Sequence, residues 1–270
     1  MGVGKIAILG QYKSGTTGLF YKIKNSLSAP IRTLFEPDEY LPEPEDARRW
    51  VLAKVILGLA DGKEAVRYDS FLGFDKKLYL VRDPRDWLVS GTLFLIHRVP
   101  DGRGLDRILA LLRQKERDPR SLSLLEIFDC ILQANPGPSL AETIQWMTRQ
   151  YEWLPRFEAR LADYHRIKYE DFVDRRLAGM ESYLGLSLSG NAEVSAEHDH
   201  VPRTERYGDW KNWLLERDVE CFRPVFDGYI RRYGYSEDWS VADKPLVRPE
   251  FCSQYAERLV RKRRAAPRPS

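Results

Sequence analysis

Apolar and polar segments alternate along the first part of the chain in a way that predicts a strand, a loop and a helix. The run KIAILG at 5–10 is apolar and ends in glycine. The segment TGLFYKIKNSL that follows places Leu19, Phe20, Ile23 and Leu27 at the helical period. The turn between them is rich in glycine, serine and threonine.

A second unit of the same kind occurs in KKLYLVRDPRDWLVSGTLFLI. Its apolar pattern predicts a strand from about Lys77 to Arg82, a turn at Pro84, and a helix with Trp87 and Leu88 facing inward. Alternating strands and helices are typical of a parallel sheet, which binds ligands at the carboxyl ends of its strands. We therefore expect an α/β fold with a central parallel sheet flanked by helices, and both turns opening on the same edge.

The remainder of the chain is richer in helix. The pattern predicts helices across about 105–161, where Ser139 can cap one of them, then a strand at 165–169 and a helix over about 217–233. The end of the chain, RKRRAAPRPS, is basic and contains proline. We expect one domain over 1–240 and a basic, partly disordered C-terminal tail over 241–270, or else a contact for an acidic partner or an anionic membrane surface.

Composition limits the classes of function. The 270 residues are 43% hydrophobic, enough for one large core, and the net charge of +3 gives no general reason to expect a nucleic-acid partner. The three cysteines form no C-x-x-C pair, so neither a disulfide framework nor a zinc site is indicated. No uncharged apolar run reaches about 18 residues and no secretory signal is recognisable, so we expect a cytoplasmic protein without a membrane span.

The glycine-rich turn has the elements of a phosphate-binding loop. Gly10 and Gly15 have the spacing of the glycines in G-x-x-x-x-G-K-[ST], but the lysine, Lys13, lies inside the loop and not after the second glycine. Backbone N–H groups of Gly15, Thr16 and Thr17 at a helix N-terminus suit a phosphate. Lys13 would then lie beside the leaving oxygen of the bound anion.

Four segments, in order, resemble motifs of the sulfotransferases that use 3′-phosphoadenosine 5′-phosphosulfate (PAPS). YKSGTT resembles their 5′-phosphosulfate loop, and LYLVRDPRDWLVS resembles their 3′-phosphate motif, with an arginine at Arg82 and a serine at Ser90. KYEDF is similar to a late strand whose tyrosine, here Tyr169, approaches the adenine. RTERYGDWKNW resembles the segment R-K-G-x-x-G-D-W-K-N. The resemblance runs from about Ile6 to Tyr233.

The resemblance implies a P-loop-like sulfotransferase fold and the transfer of a sulfuryl group from PAPS to a hydroxyl or amine. The product would be PAP, and no metal would be required, since the lysine and the backbone amides stabilise the charge. The acceptor would be a small molecule or a glycan, and the oligomeric state stays open. The implied cofactor-binding residues are Lys13, Ser14, Gly15, Thr16, Thr17, Arg82, Ser90, Tyr169, Arg203, Arg206, Tyr207 and Gly208.

The residues next to these motifs depart from the family pattern. Cytosolic members use a histidine in a K-T-H segment, but no histidine occurs here before His97. TLFEPDEY resembles the F-E-P stretch of carbohydrate sulfotransferases, so Glu36 is the candidate base, unless it is an ordinary turn carboxylate. Lys54 resembles the lysine of K-T-H and joins Lys13 and Glu36 as a catalytic candidate. Gly18 replaces the tryptophan that would stack on the adenine.

Two other functions fit parts of the sequence. A P-loop kinase would use ATP and magnesium, but its lysine should follow Gly15. A non-catalytic module that binds PAP or another anion would keep the pocket without a base. The histidines of HDH at 198–200 suggest metal only weakly, because no third ligand lies nearby in the sequence.

Overall fold

The computed structural model describes residues 3–28, 30–195 and 206–265. The chain divides into two compact units, one formed by Met1–Arg82 with Glu152–Ser195 and the other by Asp83–Tyr151 with Ala196–Ser270. The sequence predicted one domain over 1–240, so this division within that range is a feature that the hydrophobic pattern did not indicate.

The first unit is built on a five-stranded parallel sheet with the strand order β2-β3-β1-β6-β7, which confirms the predicted fold class. A small antiparallel pair, β4 and β5, lies outside it. The strands are β1 (Lys5–Gly10), β2 (Ile31–Phe35), β3 (Trp50–Ile56), β4 (Leu59–Ala60), β5 (Lys63–Glu64), β6 (Lys76–Val81) and β7 (His165–Lys168).

Helices α1, α2, α7 and α8 belong to the first unit, and the residues of α6 are divided between the two units. None of the helices in the described part of the chain is long and apolar enough to cross a membrane. The helices are α1 (Thr16–Lys24), α2 (Asp69–Leu72), α3 (Pro84–Leu95), α4 (Arg103–Arg117), α5 (Leu124–Gln133), α6 (Leu140–Glu158), α7 (Tyr169–Val173), α8 (Ala178–Leu184), α9 (Trp210–Trp213), α10 (Glu216–Arg232) and α11 (Ser253–Ala265).

The apolar residues of α1 hold it against one face of the sheet. Side chains alternate along a strand, so Ile6 and Ile8 of β1 lie on the same face. They pack in one buried cluster with Leu19 and Ile23 of α1 and with residues of β3, β6, β7 and α8. Each such side chain contributes about 1.5 to 3 kcal/mol when fully buried. The apolar residues at the predicted helical period therefore pack α1 on the sheet, with its start close to the end of β1.

Several candidate site residues directly follow the last residue of a parallel strand. Gln11 follows β1, Glu36 follows β2, Arg82 follows β6 and Tyr169 begins α7 immediately after β7. Because the strands are parallel, these carboxyl ends lie at one edge of the sheet. The prediction that the loop after β1 and the end of β6 open on the same edge is confirmed.

A buried carboxylate joins two helices of the second unit. Asp218 accepts hydrogen bonds from the backbone N–H groups of Leu124 and Leu125 at the start of α5, and of Leu215 at the start of α10. The first N–H groups of a helix have no partner within the helix, so a carboxylate there satisfies them and also interacts favourably with the helix dipole. Asp218 thereby fixes the starts of both helices.

The segment predicted to be a basic tail contains a helix. Residues Ser253–Ala265 form α11, whose buried face includes Tyr255, Ala256, Leu259 and Val260. These residues follow an i, i+1, i+4, i+5 pattern, which places them on one side of the helix. The many arginines and lysines between them made the segment resemble a solvated tail. The last five residues, 266–270, lie outside the described part of the chain.

Candidate active site

The loop after β1 is a tight turn that depends on two glycines. A Cβ at Gly10 would lie 2.8 Å from Ser14 Oγ and 3.0 Å from Leu80 Cβ, and Gly15 has a φ of 93°. Ser14 closes the turn, since its N–H and its hydroxyl both donate to the Gln11 carbonyl, at 3.2 and 2.5 Å. The loop therefore has a defined shape, with glycine where a side chain would not fit.

The N-terminus of α1 opens from this loop. Gly15 is its N-cap; no side chain in the described part of the chain caps it, and its first turn contains no acidic residue. Both basic residues of its last turn, Lys22 and Lys24, complement the opposite end of the helix dipole. The nine-residue helix thus has N-terminal N–H groups and a partial positive charge that would favour an anion, and the anion site at this loop stays a prediction.

Lys13 has a backbone conformation that is unusual for its residue type. Its φ is 61°, in the left-handed region, which costs about 1 to 2 kcal/mol for a residue with a Cβ. Its carbonyl oxygen accepts a 2.6 Å hydrogen bond from Nη1 of Arg82. A bond from a charged donor is worth enough to offset that backbone cost. Arg82 therefore holds the lysine's backbone in place.

Arg82 is itself fixed by an aromatic ring. Its guanidinium carbon lies 4.3 Å from the centroid of the Tyr169 ring, within cation–π distance. That ring also lies against the loop, because a Cβ at Gly15 would come within 2.5 Å of Tyr169 Cδ2. Tyr169, predicted to approach an adenine, is thus in contact with the loop and with Arg82.

Two buried N–H donors next to the loop make no hydrogen bond to the described residues. They are Nε of Arg82 and Nε2 of Gln11, on side chains that are 9% and 6% exposed. A buried donor without a partner typically costs about 1 to 3 kcal/mol. An anionic ligand at the loop would supply acceptors to such donors, so the donor set fits a phosphate or sulfate ester. Sequence reasoning did not single out Gln11.

Glu36, which directly follows β2, forms an ion pair with Lys54 inside the neighbouring strand β3. Lys54 Nζ donates to Glu36 Oε1 and lies 3.9 Å from the centroid of the Phe35 ring. The Lys54 side chain is 3% exposed and that of Glu36 is 51% exposed. Glu36 has a φ of 56°, and its N–H donates to the Lys54 carbonyl at 2.9 Å. The structure therefore brings these two candidates together, with the carboxylate open to solvent.

Gly18 lies against an aromatic residue of α7. A Cβ at Gly18 would lie 3.2 Å from Cε1 of Phe172, a half-buried residue of α7. Phe172 is one helical turn after Tyr169, so two aromatic rings of α7 face the start of α1. This pair was not predicted from the sequence, because the tight approach of α7 to α1 at Gly15 and Gly18 is a property of the folded chain.

The second unit contains the other candidate phosphate ligands. Ser90 lies half-buried on α3, whose start is capped by Asp83 through a 3.0 Å bond from the Arg85 N–H. Tyr207 is 41% exposed, and Arg206 pairs with Asp209 at 3.3 Å. Arg203, His198 and His200 lie outside the described residues. Among the described residues, no group of three or more His, Cys, Asp or Glu side chains could hold a metal ion.

Comparison with solved structures finds loose likenesses to sulfotransferases. The chain is 16% identical to a mouse sulfotransferase, SULT7A1, complexed with PAP, over 84% of this chain and 85% of that one, with a TM-score of 0.48. It is 16% identical to a sulfotransferase domain from the curacin biosynthetic pathway, over 87% and 98%, with a TM-score of 0.46. No protein-family model and no curated protein sequence matches the chain. Likenesses this distant do not establish an activity.

Proposed function

We propose that the protein is a sulfotransferase that moves a sulfuryl group from PAPS to an acceptor hydroxyl or amine. The observation that carries the proposal is the arrangement around Lys13. This lysine lies inside a glycine loop before the N-terminus of α1, which no side chain in the described part of the chain caps, and its backbone is held by Arg82. A loop lysine in this position suits an anion that departs through a bridging oxygen, whereas a kinase would need its lysine after Gly15.

The donor would be held by two sets of residues, since PAPS carries a phosphosulfate and a separate 3′-phosphate. The loop set fits the phosphosulfate, because backbone amides, a hydroxyl and an ammonium group surround one turn. These residues are Lys13, Ser14, Gly15, Thr16 and Thr17. For the 3′-phosphate we assign Arg82, with its buried Nε, together with Ser90, Arg203, Arg206 and Tyr207, and Gly208 would shape the turn that carries the last of these.

The adenine would lie against aromatic residues of α7. Tyr169 has its ring against Gly15 and Arg82, and Phe172 lies over Gly18. Base–aromatic stacking contributes about 1 to 3 kcal/mol per base. Phe172 is the less buried of the two rings, so it is the better candidate for direct stacking, with Tyr169 fixing the loop.

In the reaction the acceptor oxygen forms a bond to sulfur while the bond from sulfur to the bridging phosphate oxygen breaks. PAP leaves with the bonding electron pair, and the acceptor proton passes to a base. Lys13 and the amides of α1 would stabilise the charge that develops on the departing oxygen. Glu36 would accept or orient the proton, and Lys54 would hold one carboxylate oxygen in a fixed direction. We propose a small-molecule or glycan hydroxyl as the acceptor.

Transfer from labelled PAPS tests this function and separates it from a non-catalytic PAP-binding module. Purified protein is incubated with [35S]PAPS, EDTA and pools of phenols, sugars and amines, and labelled product is separated from PAPS by chromatography. A sulfotransferase forms labelled acceptor and PAP in equal amounts. PAP binding without transfer to any pool would favour the binding module, and transfer of phosphate from ATP with magnesium would favour a kinase.

A further inference from the structure

A buried carboxylate of α3 binds the backbone of the segment that precedes α9. Asp86 is 4% exposed, and its Oδ2 accepts a 2.6 Å hydrogen bond from the N–H of Gly208. Its Oδ1 accepts a 3.2 Å bond from the N–H of Trp210. Two bonds from one carboxylate, to residues more than 120 positions away in sequence, fix the position of this turn on α3.

The start of α3 provides a fixed base for that carboxylate. Pro84 occupies the first turn, and Arg85 makes a bidentate pair with Asp83, at 2.9 Å and 2.7 Å. The Arg85 guanidinium lies 4.2 Å from the Trp210 ring and 5.2 Å from the Trp239 ring. Asp86 therefore projects from a helix end that is itself held by charged and aromatic contacts.

Asp86 and Ser90 are four residues apart on α3. Residues at i and i+4 lie on the same face of a helix, about 5 to 6 Å apart at their Cβ atoms. The Gly208 amide is bound directly to Asp86, so the turn at 206–210 lies about one helical turn from Ser90. Ser90 is half-buried and Tyr207 is exposed, so this region is open to a ligand.

The turn itself has a defined conformation. Gly208 has a φ of 81°, a value that side chains disfavour. Arg206 pairs with Asp209 and lies 4.1 Å from the Phe251 ring. Since the Gly208 N–H is bound to Asp86, this glycine does not offer its amide to a phosphate. Among the described residues of the turn, the guanidinium of Arg206 and the exposed side chain of Tyr207 are the groups that remain for a ligand.

We propose that Asp86 is a positioning residue that holds the 206–208 turn beside Ser90, so that both bind the 3′-phosphate of the donor. This inference rests on the proposed function. Asp86 is a carboxylate and would repel a phosphate at close range, so its role is exerted through the backbone of Gly208 and Trp210. Gly208 is then a turn former in this site and not a phosphate ligand.

Calorimetry with two nucleotides tests the inference. PAP has a 3′-phosphate and adenosine 5′-phosphosulfate does not, so a defect at this turn weakens only PAP. Asp86→Asn keeps the side-chain size but points an amide N–H at a backbone N–H. We expect PAP to bind about tenfold or more weakly, and adenosine 5′-phosphosulfate to change by less than about threefold. Asp218→Asn is the matched control, another buried carboxylate that accepts backbone N–H bonds in the same unit.

The control should melt at a lower temperature than wild type and bind both nucleotides within about threefold of wild type. Equal loss of both nucleotides in Asp86→Asn, or no loss of PAP, would overturn the inference. If Asp86→Asn does not fold, Gly208→Ala replaces it, because the new Cβ would have no neighbour within 4 Å among the described residues, and its positive φ would strain the backbone. It should show the same selective loss. Wild-type protein that binds both nucleotides equally would overturn the proposed donor, and with it this role of Asp86.

Discussion

Arg82 donates through Nη1 to the backbone carbonyl of Lys13, at 2.6 Å, while its guanidinium lies on the ring of Tyr169. Arg82 thus fixes the backbone of Lys13, the residue on which the proposed chemistry depends. Lys13 has a φ of 61°, so without this bond its backbone would favour another conformation. Arg82 accordingly has two proposed roles: its buried Nε binds the donor, and its Nη1 holds the backbone of Lys13.

Arg82→Ala should weaken PAP binding by about 10- to 100-fold, since one charge-assisted contact contributes about 1.5 to 3 kcal/mol. Calorimetry with PAP and with 5′-AMP separates the two roles of Arg82. If Arg82 binds only the 3′-phosphate, its loss lowers the affinity for PAP alone. If its loss also changes the loop conformation, the affinities for PAP and for 5′-AMP both fall. Arg67→Ala, at an exposed arginine paired with Glu39, is the control and should change neither. Unchanged PAP binding in Arg82→Ala would contradict both assignments.

Lys13→Ala should lower kcat more than it raises the KM for PAPS. The charge on the departing oxygen grows in the transition state, so a lysine beside it contributes more there than in the bound donor. Initial rates at several PAPS concentrations give the two constants. Lys22→Ala, at the other end of α1, should leave both unchanged. A normal kcat in Lys13→Ala would mean that the lysine only helps to bind PAPS, and would contradict its role in the transition state.

Glu36→Gln should lower kcat by at least about two orders of magnitude with near-normal PAP binding, because glutamine keeps the shape but cannot accept a proton. Lys54→Gln should also lower kcat, because the carboxylate loses the partner that orients it. Single-turnover rates together with PAP calorimetry measure these effects. Glu39→Gln, a nearby surface carboxylate paired with Arg67, is the control. Should Glu36→Gln keep more than about a tenth of the activity, His198 and His200 become the next candidates.

The sequence predicted those elements of the fold in which the hydrophobic pattern is regular and is bounded by glycine or proline. β1 and β6 are apolar runs. The bounds of β1 coincide with the predicted run at 5–10, and β6 begins and ends one residue before the predicted bounds. β2 and β3 were not predicted as strands. β2 is a five-residue strand with Arg32 and Thr33 at its centre, and β3 contains the buried Lys54. A lysine inside a strand resembles a break in the hydrophobic pattern, and its burial is compensated by contacts seen in the folded chain, among them the ion pair with Glu36 and the approach to the Phe35 ring.

The sequence singled out the loop, Arg82, Glu36 and Lys54 as candidates, because each belongs to a short local motif. It did not reveal Gln11, Asp86 or Phe172. The role of Asp86 depends on Gly208, 122 positions away, and that of Phe172 on close packing against Gly18. Such contacts are properties of the folded chain. The assignments of individual residues to the donor stay predictions.

Acid should destabilise the protein partly through Asp46. Burial by itself raises the pKa of this carboxyl, but hydrogen bonds outweigh it and bring the pKa to about 2, from an ordinary value of 3.8. The donors are the N–H of Glu43 and the side chains of Tyr40, Arg49 and Arg32.

A folded-state pKa below the unfolded one stabilises the fold above the unfolded pKa, and this contribution is lost as pH falls through the folded value. The stability advantage of wild type over Asp46→Asn should therefore be constant above about pH 5 and should shrink between about pH 4 and 2. Urea unfolding at a series of pH values measures it. Glu45→Gln, at an exposed neighbour, should show no such loss, and an Asp46→Asn difference independent of pH would contradict the assignment.

Nucleotide preference tests the central claim most directly. Isothermal titration in EDTA compares PAP, 5′-AMP and ATP on the wild-type protein. Two separate anion sites predict that PAP binds at least about tenfold more tightly than 5′-AMP or ATP, with no change when magnesium replaces EDTA. Equal affinity for PAP and 5′-AMP, or tight binding of ATP that requires magnesium, would contradict the claim that the protein uses PAPS.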